Sequence, residues 1–248
     1  MDKDKIRDNF SKSALTYDQC ADVQLEMMEM LLKKIFCRDD YKHILDIGCG
    51  TGRLASILSS RFPSAKIVGI DIAPGMIEIA SSRIKNENVS FYVEDGESLS
   101  FKNKQFDLVV ANASFQWMDY KKVFSKIPSF LKKDGAFFFT TFGPATFNNI
   151  RRVGLSVNKF PSKIELERCL NKYFNKVKLE EKIIVKEYRD VFSFFSYLKN
   201  IGGQNPLEVR NKGLLTKRRL LSRFGEEEGT FKVEWDIYFV ETHTLPPD

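Results

Sequence analysis

Apolar residues recur with a helical period from Asp22 to Phe36, where Val23, Leu25, Met27, Met28, Leu31, Leu32 and Ile35 fall on one face and predict an amphipathic helix. Further along, the pattern changes to short apolar runs rich in Ile, Val and Phe. His43 to Ile47, Lys66 to Ile70, Val89 to Val93, Phe106 to Ala111 and Gly135 to Phe142 read as strands, with helices over Leu54 to Phe62, Gly75 to Lys85 and Tyr120 to Leu131 between them. Strands alternating with helices predict βαβ crossovers and an α/β doubly wound sheet. Beyond Phe142 a helix at Lys163 to Leu170, a strand at Val177 to Val185, a helix at Phe192 to Ile201 and a short basic helix at Thr216 to Phe224 follow. In the last segment, Thr230 to Thr242, residues Phe231, Val233, Trp235, Ile237 and Phe239 alternate on one side. That alternation predicts an antiparallel strand with its other face exposed.

The whole chain of 248 residues suits one domain, residues 1–248. Its expected parts are an N-terminal helical lid over residues 1–37, a ligand-binding core over 42–142, a substrate-recognition region with a sixth strand and a helical insert over 143–229, and the final strand over 230–242. No stretch reaches the ~20 apolar residues of a membrane span, and Met1 to Asp8 is charged with no apolar stretch behind it, so a cytoplasmic location without a membrane partner is expected. Four dispersed cysteines, with no C-x-x-C pair, and two histidines argue against a zinc site, a disulfide framework or a His-based triad, and no metal is expected.

Charge is unevenly distributed. Residues 1–140 carry 20 basic and 19 acidic side chains and residues 141–248 carry 19 and 14, so most of the +6 net charge lies in the C-terminal part. Between Val191 and Gly225 stand Lys199, Arg210, Lys212, Lys217, Arg218, Arg219 and Arg223 against Glu208 alone. Such a patch suits an anionic partner, whether nucleic acid, membrane or acidic protein, or is a solvated helix face.

The segment Ile44-Leu45-Asp46-Ile47-Gly48-Cys49-Gly50-Thr51-Gly52-Arg53-Leu54 passes from a buried strand through a glycine turn into a helix. That places a ligand at the carboxyl end of the first parallel strand. A dinucleotide fingerprint needs glycine where Arg53 stands, and Asp46 puts a negative charge where a pyrophosphate would be repelled. The loop therefore suits a cofactor without phosphates that carries an ammonium or sulfonium. Asp71 ends the second strand 19 residues after Gly52, a spacing at which a carboxylate receives ribose hydroxyls. Asp95, after the third strand, either accepts from an adenine amine or caps a turn.

With the glycine motif, Asp71, Asp95-Gly96 and Phe106-Asp107-Leu108-Val109-Val110-Ala111-Asn112 in order, Lys42 to Phe142 resembles the class I S-adenosylmethionine-dependent methyltransferases. The resemblance implies a seven-stranded Rossmann-like sheet whose last strand is antiparallel, and S-adenosyl-L-methionine as cofactor. It further implies that Asp46, Gly48, Cys49, Gly50 and Gly52 hold the methionine moiety, that Asp71 binds ribose, that Ile72 and Met76 border the adenine, that Asp95 with Gly96 reads its amine, and that Asn112 and Ala113 end the fourth strand beside the methyl group. Relatives that methylate base or glutamine nitrogens carry Pro-Pro-Tyr after that Asn. Here Ala113-Ser114-Phe115-Gln116-Trp117 follows, so nitrogen methylation and a nucleic-acid partner are disfavoured.

Outside the core, the pattern F-x3-A-x2-Y-x6-Q over Phe10, Ala14, Tyr17 and Gln24, the Gln116-Trp117 pair, and Tyr197-Leu198-Lys199-Asn200-Ile201-Gly202 followed by Leu215-Thr216 are similar to the malonyl-acyl-carrier-protein O-methyltransferase family of biotin synthesis. That likeness implies esterification of the free carboxyl of a malonyl thioester, with an acidic acyl carrier protein as the partner for the basic patch. The alternatives are a methyltransferase acting on a free small acid or quinone precursor and an RNA-modifying enzyme.

A carboxyl of that kind has a pKa of ~4 and is ionised at neutral pH, so no general base is required. Selection of a carboxylate suggests arginine, and Arg151 and Arg152, just past the fifth strand, are the expected fork, or else a solvated pair. Tyr17 is expected to close over the cofactor or to be a core tyrosine, Trp117 to wall the acceptor pocket or pack in the core, Lys199 to reach the carrier arm's phosphate or to be an ordinary surface lysine, and Lys217, Arg218 and Arg219 to dock the carrier.

Overall fold

A computed structural model describes residues 2–101, 105–152, 157–203 and 230–244. The basic segment with Lys217, Arg218 and Arg219, including the helix expected at Thr216 to Phe224, lies outside the described residues.

Seven strands form one sheet in the order β3-β2-β1-β4-β5-β7-β6. They are β1 (His43–Ile47), β2 (Lys66–Asp71), β3 (Val89–Val93), β4 (Phe106–Asn112), β5 (Leu131–Phe142), β6 (Lys176–Tyr188) and β7 (Phe231–His243). The first five pair in parallel, while β7 runs antiparallel between β5 and β6. The chain goes outward from β1 to β2 and β3 and then returns to β4 on the other side of β1. The β1/β4 boundary is thus the switch point, where the ends of neighbouring strands diverge and leave a crevice at their carboxyl edge.

Both faces of the sheet are covered because the strand residues are apolar on both sides. Along β5, Phe137 and Phe139 point into a core with Phe115, Phe124 of α5 (Tyr120–Phe130) and Leu166 of α7 (Lys163–Leu170). Phe138, between them, packs on the other face with Met28, Leu31 and Ile35 of α2 (Asp22–Ile35) and Leu54 and Leu58 of α3 (Arg53–Arg61). A third cluster gathers at the carboxyl edge, joining Val23 and Met27 to Phe142, Phe147, Phe194, Leu198 and Trp235. Each such side chain contributes about 1.5–3 kcal/mol on burial. Among the described residues no helix is long and apolar enough to cross a membrane, and no group of three His, Cys, Asp or Glu is placed to hold a metal ion.

The final strand is antiparallel as expected, but its exposed face is confined to one end. Alternation holds for Phe231 to Glu234, after which Trp235 to Val240 are buried on both sides. The reason is position: β6 occupies the sheet edge, so β7 is an interior strand. The fifth strand also begins earlier than expected, at Leu131, with Asp134 at φ +61 allowing the chain to turn within it. The N-terminal segment is helical from its start: α1 (Lys3–Cys20) precedes α2 and lies on α4 (Pro74–Arg83), burying only Ile6, Ser13 and Ala14. So few buried positions leave little apolar periodicity to see in the sequence. The remaining helices are the short α6 (Asn148–Arg152) and α8 (Val191–Asn200).

Candidate functional site

The glycine loop leaves β1 with Gly48, Gly50 and Gly52 all at positive φ, where a side chain is disfavoured. The backbone N–H groups of Gly48 and Cys49 donate to Ile70 O of β2 at 2.8 and 2.9 Å, which fixes the loop against the neighbouring strand. At Gly50 a Cβ would meet nothing within 4 Å, so this stretch of backbone is open to the cleft in front of it.

Two carboxylates flank the loop. Asp71 accepts from Gly50 N at 3.0 Å through one oxygen and from Ala73 N at 2.9 Å through the other, tying the loop to the start of α4. Burial raises its pKa to about 6, against the opposing pull of the Ala73, Gly50 and Ile72 amides. Asp46, 1% exposed, lies one strand over. Its Oδ2 is buried with no hydrogen-bond partner, and burial, then the Asp71 carboxylate, push its pKa up to about 8.

Three clefts adjoin at the carboxyl edge. One, of about 470 Å3, is lined by Asp46, Gly48, Cys49, Gly50, Arg53 and Asn112 among others. A second, also of about 470 Å3, takes in Asp71, Ile72, Met76, Ala113 and Met118. The third, of about 430 Å3, is mostly aromatic, with Trp117, Phe142, Phe147, Phe160 and Trp235 around Gln24, Gln116 and Asn158. Tyr17 lines all three, Asn112 the first two, and Ala113 and Trp117 the last two. Tyr17 is held there by α1, whose end is pinned by Asp18: its carboxylate accepts from Thr51 Oγ1 at 2.7 Å and pairs with Arg83. Burial, and then the Asp71 and Asp18 carboxylates, push the Tyr17 phenol well above its ordinary pKa, so it keeps its proton throughout the neutral range.

The end of β4 is fixed equally closely. Asn112 Nδ2 donates to Gln24 O at 3.0 Å and its Oδ1 accepts from Thr140 Oγ1 at 2.7 Å. Ala113 follows at φ +49, a conformation that non-glycine residues adopt at a cost and that clusters at functional sites. Its N–H donates to Thr140 Oγ1 and its carbonyl accepts from Gln116 Nε2.

The expected positions that converge are therefore Tyr17, Asp46, the glycine loop, Asp71, Ile72, Met76, Asn112, Ala113 and Trp117. The others are placed differently. Gly96 lies under Met118, with Sδ 2.9 Å from where a Cβ would stand. Asp95 bonds to Lys3 Nζ and to Glu97 N, and these partners hold its pKa below the ordinary range although burial opposes them. That carboxylate is on the rim beside α1, outside the lining of the three clefts. Arg151 Nη1 donates to Pro144 O and to Asn148 Oδ1, a closing contact within its own turn, and burial lowers its pKa. Arg152 is exposed, and neither arginine is among the residues lining the third, aromatic cleft. Lys199 is exposed on α8. Both histidines lie at the opposite edge of the sheet, at the start of β1 and the end of β7.

Sequence reasoning missed Asp18, Arg53, Met118 and Asn158. Asp18 directly follows Tyr17 in the N-terminal pattern, and Arg53 fills the place of a fingerprint glycine. Neither Met118 nor Asn158 carried any local signal.

A family described as a methyltransferase domain matches residues 44–135. The chain is 33% identical over 230 residues to malonyl-[acyl-carrier protein] O-methyltransferase 1 of Ilyobacter polytropus, covering 88% of this chain and 84% of that protein. It is also 33% identical to the malonyl-[acyl-carrier protein] O-methyltransferase of Priestia megaterium, with 84% of each chain covered. Among solved structures, the YcgJ protein of Bacillus subtilis superposes with a TM-score of 0.65 at 18% identity, over 90% of this chain and 99% of that one. Phosphoethanolamine N-methyltransferase 2 of Haemonchus contortus, in complex with S-adenosyl-L-methionine, gives 0.60 at 18% identity, over 98% of this chain and 60% of that one.

Proposed function

The chain belongs to the malonyl-[acyl-carrier protein] O-methyltransferase family and is an S-adenosylmethionine-dependent O-methyltransferase, and we propose that it esterifies the free carboxyl of a malonyl thioester borne by an acyl carrier protein, the early step of biotin synthesis. The observation that carries this reading is the meeting of a carboxylate-flanked glycine loop and an aromatic acceptor cleft at Tyr17.

The residues of the loop fit the cofactor on their own chemistry. An unpartnered buried oxygen on Asp46 suits an ammonium, Arg53 at the first turn of α3 suits a carboxylate, and the open backbone at Gly50 leaves room for the chain between them. Asp71 has lone pairs left over for a ribose diol, and Ile72, Met76 and Met118 give an apolar slot for a purine. When bound, S-adenosylmethionine supplies a methyl group on a sulfonium, an electrophile that needs no metal or redox partner.

What remains for the protein is alignment and dehydration. A malonyl carboxylate, with a pKa of ~4, is ionised on arrival. The acceptor-side cleft accordingly presents aromatic rings and amides, and its described lining residues include no histidine, aspartate or glutamate. Tyr17 keeps its phenol proton and so serves as a hydrogen-bond donor at the junction, never as a base. Holding a dehydrated carboxylate in line with the methyl group can supply several kcal/mol of barrier reduction. The fixed geometry of Asn112 and Ala113 supports that alignment.

The partner is an acyl carrier protein of acidic surface, which suits the surplus of seven basic side chains over one acidic between Val191 and Gly225. The test is methyl transfer from labelled S-adenosylmethionine to malonyl-carrier protein, set against free dicarboxylic acids, a quinone precursor and RNA. Label on the carrier supports the reading; label on any of the others with the carrier left unlabelled overturns it.

A further inference from the structure

The acceptor-side cleft raises a question of selectivity, because none of its described lining residues is a cation. The arginine expected to grip a carboxylate is bonded within its own turn instead. Yet two amide atoms on the wall of this cleft are buried without partners, Asn158 Nδ2 and Gln116 Oε1. The Gln116 amide is oriented by its own Nε2, which donates to Ala113 O, so the free atom there is an acceptor. The Trp235 indole also lines the cleft, and its Nε1 is likewise buried without a hydrogen-bond partner, on a ring packed against those of Phe142, Phe147 and Tyr197. Of these two unengaged donors, Asn158 Nδ2 is the one carried by an amide, while the other belongs to an indole set among aromatic rings. A buried donor left unsatisfied is a standing cost in the free protein, recovered only when something in the cleft accepts from it.

Resting on the carboxyl-methylating reading above, we propose that Asn158 is the specificity-determining residue for the acceptor carboxylate, its Nδ2–H donating to the carboxylate oxygen that is not methylated. Its chemistry suits the reaction better than a guanidinium would. Hydrogen bonds from a cation are about twice as strong as neutral ones and hold negative charge on the oxygens, which binds the ground state at the expense of nucleophilicity. One neutral amide orients the group and leaves the charge free for attack. The transfer balances without a further reactant: a carboxylate oxygen forms the new bond to the methyl carbon, the sulfur–carbon bond breaks, and its electron pair returns to sulfur as the neutral thioether.

The experiment compares the wild-type enzyme with Asn158→Leu and with the isosteric Asn158→Asp, using malonyl-carrier protein as substrate, acetyl-carrier protein as a competitor lacking the carboxylate, and calorimetric S-adenosylmethionine binding to report the intact fold. The expected result is a fall in kcat/KM for the malonyl substrate of about 10- to 100-fold in Asn158→Leu and a larger one in Asn158→Asp, where the donor becomes a repelling charge. Cofactor affinity and inhibition by the acetyl carrier should stay within about twofold of wild type, since neither uses this hydrogen bond. Unchanged kcat/KM in Asn158→Leu overturns the proposal. So does an equal loss of acetyl-carrier inhibition, which would assign the amide to the thioester carbonyl. A wild-type enzyme inert toward malonyl-carrier protein instead overturns the substrate reading on which this inference stands.

Discussion

Asp46 makes a sharp prediction, because a buried carboxyl with pKa about 8 is mostly protonated in the free enzyme at neutral pH. An ammonium brought against its unpartnered Oδ2 favours the ionised form, so cofactor binding must expel a proton. Affinity should then rise with pH, by about tenfold from pH 6 to pH 7, a range in which a ligand α-amino group stays charged. Asp71, raised only to about 6, adds little above that value. Calorimetric titration in buffers of different ionisation enthalpy should count close to one proton released per cofactor at pH 7, and Asp46→Asn should abolish both the release and the slope. The same residue predicts a stability trend of opposite sense. The native carboxyl keeps its proton up to about 8 while the unfolded one loses it near 3.8, the ordinary value for aspartate, so the ligand-free enzyme should lose Tm as pH rises through that window, and Asp46→Asn should flatten the loss. A cofactor affinity independent of pH, or a slope shared by Asp46→Asn, would refute the assignment.

Replacing Gly52 by alanine, at φ +76 and with Ala80 Cβ 2.9 Å from where the new methyl group would stand, should cost about 1–3 kcal/mol of stability in thermal unfolding and weaken cofactor binding; an unchanged Tm would contradict the packing described. Tyr17→Phe should lower kcat by about 3- to 10-fold, the worth of one hydrogen bond, while kcat stays flat from pH 6 to pH 8 in both enzymes. A steep rise of kcat with pH would reveal a base. Reversing Lys217, Arg218 and Arg219 to Glu should raise KM for the carrier-borne substrate and spare a small malonyl thioester, whereas equal effects on both would reject carrier docking at that patch.

The cofactor half of the site was legible because its chemistry lies in consecutive residues. A strand, Asp46, three glycines and an acid 19 residues further on are constrained by one turn and one crossover. The acceptor half was not, since Gln24, Gln116, Asn158 and Trp235 come from four separate segments that only the third core cluster brings together. Arg151 shows the limit of residue type as a guide: its chemistry suits a carboxylate, but its turn returns the guanidinium to Pro144 O. Helix α1 was expected only as part of a helical lid over residues 1–37, and its own bounds were hard to read for a different reason. It buries three positions in 18 residues, and it is held in place partly by polar contacts such as Gly75 N to Ser11 Oγ at 3.3 Å and Thr51 to Asp18, which leave only the thin stripe of Ile6, Phe10, Ala14 and Tyr17 as an apolar signal. The interior place of β7 depended on β6 taking the edge, a pairing between strands more than 40 residues apart in sequence.

The central claim is that a free carboxyl on a carrier-borne acyl group is the methyl acceptor. Mass spectrometry of malonyl-carrier protein after incubation with the enzyme and S-adenosylmethionine tests it most directly. The predicted product is a base-labile methyl ester at the distal carboxyl of the malonyl group, formed in step with loss of the cofactor's methyl. An unmodified malonyl-carrier protein, alongside methylation of a free acid, a quinone precursor or RNA by the same preparation, would contradict it.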